Sequence, residues 1–174
     1  MLRSVFALVA LGVAGVAPAV AEVKAKAPDA IVIQIKGEVA LDRDAAWARL
    51  LEIGLWWNGS HTYSGDAANL KLDAMAGGCW CELWSGGEVE HGRVVMVMPM
   101  STLRVSTALG PLQDLGVSGA LTLTLSDGAA GATAITLDFK VSGSSASGLD
   151  KLAAPVDEVL RQQVAGFIRI DQAQ

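Results

Sequence analysis

Between residues 118 and 141 the chain repeats one pattern twice. Leu121, Leu123 and Leu125 alternate with Thr122 and Thr124, and Ile135, Leu137, Phe139 and Val141 alternate with Thr136, Asp138 and Lys140. A period of two puts each apolar set on one face of a strand. The Ser126-Asp127-Gly128-Ala129-Ala130-Gly131 stretch between them predicts a hairpin. Ile31, Ile33 and Ile35 give the same signal near the start of the chain, after a lead-in over residues 22–29 that shows no pattern. Further strands are predicted at Leu70–Ala74, Cys79–Trp84, Val89–Met98 and Thr102–Leu109, separated by Gly77-Gly78, Ser85-Gly86-Gly87 and Pro99.

The period lengthens in two places. Asp42 or Asp44 can cap a helix from about Ala45 to Leu55, with Trp47, Leu50, Leu51 and Leu55 on its apolar face. Beyond the Ser/Gly-rich residues 143–148, Leu149, Leu152, Ala153, Val156, Val159, Leu160, Gln163, Val164, Phe167 and Ile168 follow a three-four spacing. Pro155 is expected to kink this helix or break its first turns. The order is therefore a strand, a helical region, about six strands and one long amphipathic helix, which predicts an α+β domain whose antiparallel sheet and C-terminal helix cover each other.

Composition narrows the setting. Arg3, the apolar run Val5–Val16 and the small residues of Ala19-Val20-Ala21 read as a secretory signal over residues 1–21, with cleavage after Ala21 and a periplasmic or secreted product. The apolar run is short for a membrane span and Pro18 interrupts it, so no integral membrane segment is expected after cleavage. The net charge of −5 becomes about −6 without Arg3, which argues against nucleic acid as a partner. Asn58-Gly59-Ser60 fits a glycosylation sequon but is incidental in a chain whose leader and composition read as bacterial.

The chemistry-bearing residues cluster in two stretches, Trp56–Gly65 and Gly77–Glu82. Trp56, Trp57, His61 and Tyr63 crowd a Gly/Ser-rich connection, where aromatic surface has to be buried against the core or a ligand. Cys79 and Cys81 share a strand face; they are expected to be free buried thiols, with a strained redox disulfide or a metal site as the other readings. Neither a Ser/His/Asp triad nor a nucleotide fingerprint is present in the sequence, and no cofactor or metal is expected.

The ordered words Trp56-Trp57, His61-Thr62-Tyr63-Ser64-Gly65, Gly77-Gly78-Cys79-Trp80-Cys81-Glu82 and His91-Gly92-Arg93-Val94-Val95 carry a family resemblance. So do Leu109-Gly110-Pro111-Leu112-Gln113, Gly119-Ala120-Leu121-Thr122 and Val156-Asp157-Glu158-Val159-Leu160. Over residues 30–171 the chain resembles the START-like or SRPBCC superfamily, in its branch of heat-shock-protein ATPase-activator homologues. The resemblance implies a helix-grip fold: a curved antiparallel sheet of about six to seven strands around a long C-terminal helix, with a deep pocket for apolar or amphipathic molecules between them. Chaperone activation is not expected of an exported protein, since no ATP-driven chaperone works outside the cytosol.

Alternation places Trp80, Glu82 and Trp84 on one strand face and His91, Arg93, Val95 and Val97 on one face of the next. Family analogy turns both faces toward the pocket. There Arg93 or His91 partners Glu82, Arg93 holds a ligand head group, and Leu112 lies at the rim. The candidate ligand-binding residues are Trp57, His61, Tyr63, Trp80, Glu82, His91, Arg93 and Leu112. The leading expectation is a non-catalytic domain binding a hydrophobic or amphipathic small molecule. The rivals are an enzyme using Glu82, His61 or His91 for proton transfer, and an interaction module with no ligand. The sequence does not set the oligomeric state.

Overall fold

The structure, a computed structural model, describes residues 19–169. The signal-peptide reading of Arg3, Val5–Val16 and Pro18 lies outside the described residues. Eight strands form one antiparallel sheet: β1 (Val20–Ala27), β2 (Ala30–Val39), β3 (Leu70–Leu72), β4 (Cys79–Trp84), β5 (Gly87–Met98), β6 (Thr102–Ser106), β7 (Ser118–Asp127) and β8 (Thr133–Ser142). Their spatial order is β1-β2-β8-β7-β6-β5-β4-β3. Among the described residues two α-helices accompany the sheet, α1 (Arg43–Leu51) and the 20-residue α2 (Leu149–Ile168). The architecture is helix-grip-like, with one strand more than the sequence predicts.

The extra strand is β1, where residues 22–29 read as an unstructured lead-in. Its side chains are almost all exposed, so it carries no buried face for periodicity to detect. It is held by backbone pairing to β2, from Val20 opposite Lys36 to Ala27 opposite Ala30. The expected cleavage point after Ala21 falls inside this strand.

One sheet face is apolar because the alternation is kept in register. Ile31, Ile33 and Ile35 lie opposite Val141, Phe139 and Leu137, and Leu121 and Leu123 lie opposite Phe139 and Leu137. All of these are buried, and α2 covers them with Leu149, Ala153, Leu160, Val164, Phe167 and Ile168. The helix runs unbroken through Pro155, which is exposed in its second turn.

The Asp42 carboxylate caps α1, accepting the Ala45 N–H at 2.8 Å. The helix stops at Leu51, short of the expected Leu55. A 3-10 turn over Ile53–Leu55 then buries Ile53 and leaves Leu55 mostly exposed, reversing the predicted face. Arg49 reaches from α1 to the far end of α2 and donates to the carbonyls of Gly166, Phe167 and Arg169, satisfying groups that a helix C-terminus leaves unpaired. Gly166 lies so close to the connection after α1 that a Cβ there would overlap the Trp56 carbonyl oxygen. Gly166→Ala is therefore expected to destabilise the protein by about 1–3 kcal/mol through overpacking, although Ala is the better helix former. Thermal melts of the two proteins measure this; an unchanged or raised midpoint would show that α2 shifts away at no cost.

Cys79 and Cys81 form a disulfide, which corrects the expectation of free thiols. Their Cα atoms are 5.4 Å apart on one face of β4, within the span that a disulfide bridges. Both are half-buried rather than buried, because the face opposite Trp80 is the solvated side of the sheet. A ring of three residues contributes at most about 1.6 kcal/mol by loop entropy, and the β-ladders already hold these residues in place.

Candidate functional site

The site is built where β4 and β5 meet the connection between α1 and β3. β4 places Trp80 and Glu82 on one face, as alternation predicts, and that face is the inward one, as the family resemblance implies; both are buried. β5 departs from alternation. Trp80 lies opposite Gly92 and Cys81 opposite Glu90, so His91 is an extra residue in a bulge. His91 and Gly92 are both buried there. A Cβ on Gly92 would press on the Ser106 carbonyl and the Val105 and Thr107 side chains, so the bulge requires glycine. The Thr107 hydroxyl, one residue past the end of β6, donates to the His91 carbonyl at 2.5 Å and holds it.

The bulge separates the two residues expected to act together. His91 faces inward and meets Glu82, with Nε2 2.9 Å from Oε2. A carboxylate only accepts, so His91 Nε2 carries the proton. Arg93 instead lies opposite Cys79 on the outer face, where it is exposed, pairs with Glu90 and donates to the Gly77 carbonyl. It neither touches Glu82 nor faces the interior, which corrects its assignment as a head-group anchor. A second register shift between Val94 and Met96 leaves Val95 exposed as well.

Glu82 also holds the aromatic connection. Its oxygens accept the Tyr63 N–H at 3.0 Å and the Ser64 N–H at 2.5 Å, so one fully buried carboxylate fixes two backbone groups and a histidine. Burial pushes the Glu82 carboxyl up; the Ser64 hydroxyl, the Tyr63 and Ser64 N–H groups and His91 outweigh it and hold the group below the ordinary carboxylate range. Glu82 is therefore an anionic clamp at neutral pH.

A second clamp comes from α2. Gln163 is fully buried, accepts the Asn58 N–H at 2.7 Å and donates to His61 Nδ1 at 2.8 Å. Sequence reasoning placed Gln163 within the apolar stripe and gave it no role. Its signal was a polar residue at a stripe position, since a buried amide needs partners. Ser64 was likewise missed: it acts on Glu82 through its backbone N–H as well as its hydroxyl, and a small polar residue in a Gly/Ser-rich connection gives no sign of either.

The tryptophans close the interior. Trp57 meets Trp56 and Trp80 edge-on at centroid distances of 5.8 and 4.9 Å, and Trp56 meets Phe167 at 5.6 Å. Tyr63 is half-exposed, with its ring 5.9 Å from that of His91. Leu112, expected at the rim, is buried in a 3-10 turn over Gly110–Leu115. Of the predicted set, Trp57, Tyr63, Trp80, Glu82 and His91 come together, His61 lies alongside through Gln163, Leu112 is core, and Arg93 is on the other face.

Between these side chains and the sheet, an apolar space of about 10 Å³ remains, lined by Trp56, Trp57, Leu72, Trp80, Leu103 and Leu123 among others. That is about the volume one water requires. The deep pocket implied by the family resemblance is not open in this conformation. Trp80 lines this space, and its Nε1 is buried with no hydrogen-bond partner among the described residues. A larger depression of about 510 Å³ lies outside, between the connection and the end of α2, lined by Arg49, Leu55, Asn58, Gln162 and Arg169. Among the described residues no group of His, Cys, Asp and Glu is arranged to hold a metal, and no helix is long and apolar enough to cross a membrane.

The chain matches no family model, and no curated protein matches it in sequence. Solved structures do resemble it. A conserved protein of unknown function from Enterococcus faecalis, EF2215, superposes with a TM-score of 0.55 at 14% identity, over 83% of this chain and 75% of its own. Ms6760 from Mycobacterium smegmatis gives 0.57 at 13% identity, over 82% and 91%. CalU16 from Micromonospora echinospora gives 0.50 at 15% identity, over 86% and 84%. At such identities the likeness is one of fold.

Proposed function

We propose that this domain is exported and holds a hydrophobic or amphipathic small molecule between its sheet and α2, admitted when the connection Trp56–Asn69 swings away. The observation that carries this reading is how the connection is fixed. It covers an interior walled by Trp57 and Trp80, yet it pairs with no strand along most of its length. Two buried side chains, Glu82 and Gln163, hold its backbone instead. Such a segment can open locally at less cost than the sheet. Displacing Trp57 and its neighbours would enlarge the interior toward the few hundred Å³ that a small ligand occupies, and Trp80 Nε1 offers that ligand an unused donor.

A second reading rests on the Glu82–His91 pair. A charged carboxylate orients the imidazole beside the half-exposed Tyr63, an arrangement suited to proton transfer on the same ligand. Turnover of aromatic or polyketide-like substrates that His91→Gln abolishes would establish it.

The binding reading is tested with an environment-sensitive fluorescent probe and by native mass spectrometry of gently purified protein. Saturable one-site binding is expected. Glu82→Gln should accelerate association several-fold by loosening the connection, while Arg93→Met, on the outer face, should bind like the wild type. Failure of the native protein to bind any apolar probe saturably would remove the proposal and leave the interaction-module reading.

A further inference from the structure

We infer that the Cys79–Cys81 disulfide is a thiol–disulfide exchange site on the outer face of the sheet, separate from the Trp80–Glu82–His91 side of the same strand. This does not depend on ligand binding. The bond joins residues two apart within β4, which the ladders to β3 and β5 already hold. It links no separate elements, so it contributes little to the fold. Structural disulfides stabilise by closing long loops, and this one does not.

Its surroundings suit exchange. Both cysteines are half-buried on the solvated face, the side from which a thiolate would approach. β3 ends at Leu72, opposite Trp80, and past it the Asp73 N–H donates to the Cys79 carbonyl at 2.9 Å, so the Cys79 backbone is held while its side chain stays on the solvated face. Register sets the cationic Arg93 opposite Cys79 and the exposed Lys71 opposite Cys81, with Glu90 on the other side of Cys81 and paired to Arg93. Positive charge beside a sulfur favours its thiolate, which is both the leaving group and the resolving nucleophile of exchange.

The substrate class is a thiol: a small one such as glutathione, or a dithiol on a protein surface. A substrate thiolate attacks one sulfur of the pair. The S–S bond breaks, a mixed disulfide forms, and the other cysteine leaves as a thiolate. A second substrate thiolate then attacks the mixed disulfide at the substrate sulfur. It releases the oxidised substrate disulfide and leaves the second cysteine as a thiolate. Two electrons pass from the two thiols to the protein, and the two cysteine thiolates take up the protons that the thiols lost.

The test equilibrates folded full-length protein with glutathione buffers of graded redox poise, followed by alkylation and intact-mass measurement, with near-ultraviolet circular dichroism recorded in parallel. The expected result is reversible gain of two alkylatable thiols with the folded spectrum retained. Cys79→Ser and Cys81→Ser should each accumulate one glutathione adduct on the remaining cysteine. Three results would overturn the inference. One is that the pair resists even excess dithiothreitol until the protein is denatured. Another is that reduction abolishes the folded spectrum, which marks a structural staple. The third is that the cysteines stay reduced in glutathione disulfide, which shows that the bond does not form under exchange.

Discussion

A chain ending at Gly148 is expected to be insoluble or molten, with no cooperative thermal transition. The deletion removes α2 and with it Leu149, Leu160, Val164, Phe167 and Ile168, all buried against the sheet. Each such side chain contributes about 1.5–3 kcal/mol by burial. Together they match or exceed the 5–15 kcal/mol that typically stabilises a whole domain. Ile31, Ile33 and Ile35, now fully buried, would face water. The loss is not only apolar: Gln163 no longer holds Asn58 and His61, and the guanidinium of Arg49 loses its three carbonyl partners. Phe167→Ala gives a graded version, with an expected loss of about 3–5 kcal/mol. Calorimetry of both proteins decides the matter; a sharp unfolding endotherm from the truncated chain would refute the view that α2 completes the core.

Glu82→Gln is expected to destabilise the protein by about 1–3 kcal/mol, and Glu82→Ala by more. The carboxylate accepts from Tyr63, Ser64 and His91 simultaneously. An amide has one oxygen, so its NH2 group must face one of those donors, and a buried donor goes unpaired. For a domain of this size the midpoint should fall by about 2–4 °C per kcal/mol. The effect should depend on pH in a definite direction. The Glu82 carboxyl is depressed in the folded protein, so the unfolded chain takes up the proton first as acid is added. Its contribution is complete above the unfolded carboxylate value of about 4.3 and is lost as pH falls from there through the lower folded value. Wild type and Glu82→Gln should therefore differ by a constant amount at neutral pH and converge in acid. Denaturant titrations from pH 7 to pH 3 measure this, and a gap that widens in acid would contradict an ionised, satisfied Glu82.

Sequence alone determined the elements that bury one face. The strict alternation of Leu121–Leu125 and Ile135–Val141 and the three-four stripe of α2 each reappear, because a half-buried strand or helix has to write its buried side into its residue order; a cap at Asp42 or Asp44 was legible too, and the structure selects Asp42. That Trp80 and Glu82 share a face was legible for the same reason, while their inward direction rested on the family resemblance. Tertiary structure decided the rest. β1 has no buried face and forms through backbone hydrogen bonds, to which side-chain periodicity is blind. The bulge at His91 adds one residue to β5, and a shift of one residue exchanges the faces, so of its two expected partners Glu82 keeps His91 and loses Arg93. Gln163 was hidden by its regular spacing, since a pattern reports where a side chain points and not what it meets there. Whether the space between sheet and helix stays open depends on how Trp56, Trp57 and Trp80 pack together, and that depends on distances between residues far apart in the chain, which their order does not contain.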